Sequence, residues 1–282
     1  MISKKDIAGS VVLYNSPIEV LDNISTYIDQ ISKLYVVDNS VTPNAELIKE
    51  LQKNSKIKYI SLQGNKGIAT ALNFAAQEAL ADNYSVLLTM DDDTQTPSSM
   101  IDEMITFWNQ FPHPIGILSG SHHSKLKHVP YRRLLYTLTS GNLLNLDAYT
   151  SVGNFKDDLF IDHVDHEYGL RLNEKGYQVI EIPSIRLVHR LGYIQQIKLG
   201  SRTIAEFGSH SPIRLYYYTR NGLHLSRIYL KQSPAFVLNF VENLSKLFIK
   251  AILLQKDRKH RIKMLTKGLI DGWNGNLGKI NS

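Results

Sequence analysis

Val86-Leu87-Leu88-Thr89-Met90-Asp91-Asp92-Asp93 is the stretch on which the fold turns. Its first five residues form an apolar run of strand length, and three adjacent carboxylates close it. Continuous rather than alternating apolarity reads as a strand buried in a parallel sheet. Neighbouring acids repel one another, and such a cluster is tolerated mainly where a cation compensates it. Alternate residues of an extended segment point to one side, so Asp91 and Asp93 can converge while Asp92 faces away. Oxygen ligands of this kind suit a hard divalent ion, Mg2+ or Mn2+, that keeps waters or substrate phosphates in its other positions. The competing reading is a solvated acidic turn, with Thr94 to Pro97 opening the next helix.

Upstream of this stretch, short strands alternate with helical segments. Ile7 to Tyr14, Leu34 to Val37 and Ile57 to Leu62 read as strands, and Ile18 to Ile31, Ala45 to Leu51 and Ile68 to Leu80 as helices. That spacing implies parallel βαβ units in an open α/β sheet. Ligands bind such sheets at the carboxyl ends of strands. The polar clusters Tyr14-Asn15, Asp38-Asn39-Ser40, Gln63 to Gly67 and Asp91 to Asp93 all fall there. Downstream, Met100 to Phe111 reads as a helix broken at Pro112, and Ile115 to Ser119 and Leu134 to Leu146 suggest further strands. Phe160 to Lys175 has helical spacing and stops at Gly176, and Val179 to Ile182 is a strand. Beyond Arg190 the chain reads as mostly helical. We expect one α/β catalytic domain over residues 1–210 and a basic, mostly helical region over 211–282.

Composition narrows the chemistry. The 282 residues contain no cysteine, which excludes a disulfide framework, Cys-ligated zinc, iron–sulfur clusters and thiol catalysis. A formal charge of +6 averages −5 over residues 1–190 with +11 over 191–282. No charged-then-apolar leader opens the sequence, and no run approaches the roughly 20 apolar residues of a spanning helix. A cytoplasmic protein, or one peripheral at the inner face of the cell membrane, is expected.

Other residues admit two readings each. Gly64-Asn65-Lys66-Gly67 joins a strand to a helix, where glycines allow close backbone approach and the helix N-terminus attracts phosphate; a simple capped loop fits equally. Asp38 could accept hydrogen bonds from a pyrimidine imide, or belong to an ordinary turn. Phe160 to Glu167 brings three acids and two histidines into eight residues. Asp162, Asp165 and His166 would share a face at a helix start, and a carboxylate there could act as general base toward a hydroxyl. His189 could be a neutral imidazole ligand or a partly buried polar residue. Nucleophilic serine chemistry lacks its motifs: no GxSxG, SxxK or HExxH pattern occurs.

Taken in order, these segments resemble family 2 glycosyltransferases of GT-A fold, and within them the bacterial rhamnosyltransferase-like group. The resemblance is carried by Val11 to Asn15, Val36 to Ser40, Asn65 to Ala69 with Ala71 and Asn73, Leu88 to Asp93, Ser140 to Leu143, Phe160 to Arg171, Val188 to Gly192, Tyr216 to Asn221 and Lys267 to Gly272. It implies a Rossmann-like open mixed sheet flanked by helices, with a C-terminal helical extension. By the same resemblance, Asp38 contacts the pyrimidine and Tyr14 and Asn15 line the nucleoside pocket. Asn65, Lys66 and Gly67 lie near the nucleotide, with Asp91 and Asp92 toward the ribose or sugar. Asp93, with Asp91 and His189, holds the metal. Asp165 matches the catalytic base of the family's Glu-Asp motif; Val164 stands where many members carry glutamate, so Asp162 is kept beside it. The implied reaction is an inverting, metal-dependent transfer, with dTDP-β-L-rhamnose as best donor and UDP-glucose, UDP-galactose or another hexose nucleotide as alternatives. The implied acceptor is a hydroxyl of a cell-surface glycan or a lipid-linked oligosaccharide.

Along Val237 to Leu254 apolar residues recur at helical spacing, and residues 245–263 add seven Lys/Arg against Asp257. Such a helix packs on its own domain, or its bases face an anionic membrane surface. Two readings of other classes compete. A basic nucleic-acid-binding protein would stack bases on Tyr216, Tyr217 and Tyr218, but acids at the strand ends repel a polyanion, so no nucleic acid is expected. A metal-dependent nucleotidyltransferase or phosphohydrolase would also use Asp91 and Asp93.

Overall fold

The computed structural model describes residues 1–122, 129–189, 194–199, 202–208, 211–255 and 257–280. Strands β1 (Ile7–Leu13), β2 (Lys33–Asp38), β3 (Ile57–Ser61) and β4 (Val86–Asp91) run parallel. Between them lie α1 (Val20–Ser25), α2 (Ala45–Leu51) and α3 (Ile68–Ala81). The register sets Asp38 beside Leu13 and Ser61, and Asp91 beside Val12. The register therefore brings Asp38 and Asp91 to the carboxyl ends of neighbouring strands. Helix α3 buries Ala69, Ala71, Ala75, Ala76 and Ala79, small side chains that let it lie close to the strands. Asn44 caps α2 by accepting from the Glu46 and Leu47 N–H groups.

The chain continues through β5 (Thr94–Gln95), α4 (Met100–Gln110), β6 (Ile115–Ser121), β7 (Arg132–Leu134), β8 (Asn142–Asn145), α5 (Leu146–Val152), α6 (Val164–Glu174), β9 (Gln178–Arg186) and β10 (Val188–His189). Eight strands form one sheet in the order β3-β2-β1-β4-β8-β6-β9-β7. Antiparallel β8 sits between β4 and β6 and makes the sheet mixed, as expected. Gly141 leads into β8 at φ 75°, and a Cβ there would meet Leu187. Glycine is what this sharp entry requires.

Two compact units divide the chain: Met1–Asp157 with Val164–His189, and Asp158–His163 with Arg190–Ser282. The second contains β11 (Ile194–Leu199) paired antiparallel with β12 (Arg202–Gly208), then α7 (Pro212–Tyr229), α8 (Pro234–Leu253) and α9 (Arg258–Asn274). Ser211 caps α7 and Pro212 begins it. Helices α7 and α9 approach closely through glycine. A Cβ at Gly268 would lie 2.7 Å from the Tyr216 carbonyl oxygen, and one at Gly272 would meet that of Arg220. Helix α8 turns Phe236, Phe240 and Ala251 inward and leaves Leu238, Val241, Ile249, Ile252 and Leu253 exposed.

Three sequence expectations are corrected. The helix expected from Ile18 to Ile31 ends at Ser25, where the Ser25 and Thr26 hydroxyls bond carbonyls of the preceding turn. Residues 194–199 and 202–208 pair as strands where helix was expected; their β-branched residues, split in sequence by Gly200-Ser201, carry that signal. The helix expected from Phe160 begins only at Val164. Phe160, Asp162 and His163 instead take φ values of 65°, 61° and 63°.

Candidate active site

At the carboxyl ends of the strands, the loops after β1, β2 and β3 are stitched together by short polar side chains. The Asn15 N–H donates to Ser40 Oγ at 2.7 Å, and the Thr42 N–H to Asn15 Oδ1 at 3.2 Å. Asn39 reaches the third loop: its Oδ1 accepts from the Lys66 N–H at 2.7 Å and its amide donates to Asn65 Oδ1 at 3.3 Å. Asn65 Oδ1 also accepts from the Gly67 N–H at 3.0 Å. Gly67, at φ 94°, opens α3 with no side-chain cap on the helix. Tyr14 is half exposed and Lys66 is exposed. Asp38 is buried, its Oδ2 accepting from the Tyr59 hydroxyl at 2.6 Å and its Oδ1 from the Ser40 N–H at 2.9 Å. Burial, and then the bond to Asp38, raises the Tyr59 pKa.

The acidic triplet divides its labour. Asp92 accepts a short hydrogen bond from the Ser16 hydroxyl, and its carbonyl accepts from the Asn23 amide at 2.7 Å. Burial pushes the Asp92 carboxyl above the ordinary range against the pull of Ser16, and the charge of Asp93 adds to the rise. Asp91 and Asp93 are half-buried, and the Asp91 N–H donates to Ser140 Oγ at 2.9 Å. The β5–β10 register sets His189 opposite Thr94, one residue beyond Asp93; the His189 side chain lies outside the described residues. No cluster of three His, Asp or Glu side chains forms a metal cage among the described residues. Two carboxylates at an open strand end nonetheless suit a hard ion that completes its shell with water or diphosphate oxygens.

Helix α6 sorts the acids of the Phe160–Glu167 run. Glu167, fully buried, is bound through both oxygens by Arg171 at 2.8 Å, and Arg171 also donates to the carbonyls of Val152 and Asn154. It is a structural ion pair. Asp165 is half-buried, with His166 Nδ1 3.0 Å from its Oδ1. It lines a cavity of about 10 Å³ with Thr89, Thr139, Asn142, Phe155 and Tyr168. Within the second unit, Arg214 holds Asp162 at 2.6 Å. Asp162 is not helical, so it does not share a helix face with Asp165 and His166 as the spacing suggests.

Sequence reasoning gave no role to Ser16, Asn39, Ser40, Tyr59 and Ser140, which bond the backbone or carboxylates of predicted residues. Their signal is faint: Asn and Ser at strand ends favour turns whatever the function. Arg220 and Asn221 lie in the stretch Tyr216 to Asn221, which carries the resemblance without implying a role for either.

The family model for glycosyl transferase family 2 matches residues 11–155. The dTDP-rhamnosyl transferase RfbF of Shigella flexneri is 26% identical over 298 aligned positions, covering 97% of each chain. Among solved structures, residues 1–349 of S. aureus TarS in complex with UDP-GlcNAc align with a TM-score of 0.60 at 13% identity, over 94% of this chain and 81% of that one. GalNAc-T7 with UDP, GalNAc and Mn2+ aligns at 0.60 and 12% identity, over 93% of this chain and 54% of that one. The chain spans 42% of a longer TarS structure that it also matches. These likenesses give the fold as GT-A. A family match across half of the chain, over the strand-end loops and the acidic triplet, identifies it: the chain belongs to glycosyl transferase family 2 and is a glycosyltransferase.

Proposed function

We propose that the protein is an inverting, metal-dependent rhamnosyltransferase, moving L-rhamnose from dTDP-β-L-rhamnose to a hydroxyl of a cell-surface glycan or lipid-linked oligosaccharide. The observation that carries the donor is the end-to-end similarity to a dTDP-rhamnosyl transferase, 97% of both chains. Asp38 reads the pyrimidine, its carboxylate oriented by Tyr59 and Ser40. Tyr14 and Asn15 cover the nucleoside. Asn65, Lys66 and Gly67 bring the positive end of α3 and a lysine to the diphosphate. Asp91, with Asp92 behind it, faces the ribose or sugar. A divalent ion held by Asp93, Asp91 and His189 would offset the charge developing on the departing nucleoside diphosphate.

Asp165 takes the proton of the acceptor hydroxyl as its oxygen attacks the anomeric carbon from the face opposite the leaving group. One displacement inverts the configuration. Its place in a cavity beside Thr89 and Asn142 supports Asp165 over Asp162, whose carboxylate is held by Arg214. Asp165→Asn should lower kcat by roughly 10²- to 10⁴-fold with donor binding retained. Undiminished transfer by that variant removes Asp165 as base, and transfer indifferent to EDTA removes the metal. Thermal shifts with dTDP and UDP sugars test the donor, a larger shift with UDP-hexoses overturning rhamnose.

The exposed face of α8 supports a peripheral site on an anionic membrane. Leu238, Val241, Ile249, Ile252 and Leu253 are open there, and Lys246, Arg258, Lys259 and Lys263 are exposed nearby in sequence. No helix among the described residues is long and apolar enough to cross a membrane. An apolar stripe flanked by bases suits the headgroup layer, each base contributing about 1 kcal/mol. Flotation with phosphatidylglycerol vesicles, lost in Ile249→Glu/Ile252→Glu, is the expected result; wild-type protein that stays unbound ends this part of the proposal.

A further inference from the structure

Three of the four residues Phe160–His163 sit in the left-handed region, at φ 65°, 61° and 63°. None is glycine, so each is strained, and such strain persists only where surroundings over-determine it. What holds them comes from α7. The side-chain amide nitrogen of Asn221 lies 2.8 Å from three carbonyl oxygens in and just before this segment, those of Leu159, Ile161 and Asp162, and shares its two hydrogens among them. Its own Oδ1 accepts from Arg220 Nε at 2.8 Å, which fixes which way the amide faces. The Arg220 guanidinium also donates to the carbonyls of Leu159 at 3.0 Å, Asp158 at 3.3 Å and Gly278. Both side chains are buried, Arg220 at 1% and Asn221 at 0% exposure. The arginine charge is met by these carbonyls and by the ring faces of Tyr217 and Tyr216, at 4.9 Å and 5.5 Å.

We propose that Arg220 and Asn221 are positioning residues for transfer: together they lock the backbone of Asp158–His163, with its three left-handed residues, fixing the main chain at Asp162 and the lead into the helix that carries Asp165. A buried arginine and asparagine devoted to five backbone carbonyls is more than a helix needs for its own packing. The three positive-φ residues need that grip, because an unbound segment relaxes to ordinary backbone and shifts Asp162. The assignment rests on the reading of this acidic segment as the acceptor side of the reaction.

The test uses full-length Asn221→Ala and Arg220→Lys, the latter keeping charge but losing the planar fork. Hydrogen exchange of peptides spanning residues 158–163 should accelerate in both, whatever the reaction turns out to be. Transfer assays should show kcat reduced roughly 10- to 100-fold, as misplacement by about 1 Å predicts, with donor KM and dTDP affinity within about twofold of wild type. Exchange in 158–163 unchanged in folded Arg220→Lys overturns the clamp, since that milder variant separates it from a failure to fold. Faster exchange with unchanged kcat keeps the lock and overturns its part in transfer. Parallel loss of kcat, dTDP affinity and thermal stability marks a merely structural role. If the wild type transfers no rhamnose, the exchange arm still decides the clamp, and the function assigned above fails separately.

Discussion

The loops after β1, β2 and β3 hold themselves, whereas Asp158–His163 is held from a helix some sixty residues further along the chain. In the first group, the side chains of Asn15, Asn39, Ser40 and Asn65 bond one another or the N–H groups of Asn15, Thr42, Lys66 and Gly67, across strands that the sheet already aligns. Each stitch is worth a modest amount, and several act in parallel. In the second, Asn221 and Arg220 hold the backbone of a segment with no ladder of its own, and Arg214 of the same helix holds its Asp162 carboxylate. Redundant local bonding spreads the cost of losing one bond; a grip from one remote helix concentrates it.

The sharpest way to break this contrast is Gly272→Ala. Its new methyl group would meet the Arg220 carbonyl, forcing α7 and α9 apart. We expect a loss of about 1–3 kcal/mol by denaturant unfolding, with kcat falling while dTDP affinity holds. Asn39→Ala probes the other side. Leaving the Lys66 N–H without its acceptor should cost about 1–2 kcal/mol and weaken dTDP binding by calorimetry, with little effect on turnover at saturating donor. If both variants change affinity and turnover together, the two loop groups are one cooperative element.

The smallest expected effect has the opposite sign. Folding raises the Asp92 pKa, so between the ordinary carboxylate value and the raised one the native state binds more protons than the unfolded state. Stability from this group therefore falls as pH rises through that window. Asp92→Asn should be the more heat-stable protein at pH 7, and thermal melts should converge as pH drops below about 4. A wild type that is more stable at pH 7 contradicts the assignment of burial as the dominant cause.

Much of the fold was legible because its signals are local. Val86–Asp91, Ala45–Leu51 and Ile68–Ala81 follow from apolar period, caps and length, and an open mixed sheet is the architecture that the resemblance implies. What escaped depends on distant partners. Phe160–His163 has helical spacing, yet tertiary hydrogen bonds from Asn221 hold it in a conformation its side chains disfavour. Glu167 counts in sequence as one more acid of the run, and only its bidentate pair with Arg171 marks it as structural. The α8 stripe from Val237 to Leu254 mixes two faces that periodicity alone does not separate: Phe240 and Ala251 pack inward while Val241 lies open.

The chain leaves its first unit for only six residues, Asp158–His163, before returning to it. That excursion limits modularity. A fragment ending at His189 would keep every strand of the eight-stranded sheet yet strand those six residues without the helix that shapes them. Grafting a C-terminal region from another glycosyltransferase would meet the same obstacle unless the graft carried an equivalent Arg-Asn pair in register. The natural unit of exchange in this architecture is the helix together with its six-residue partner.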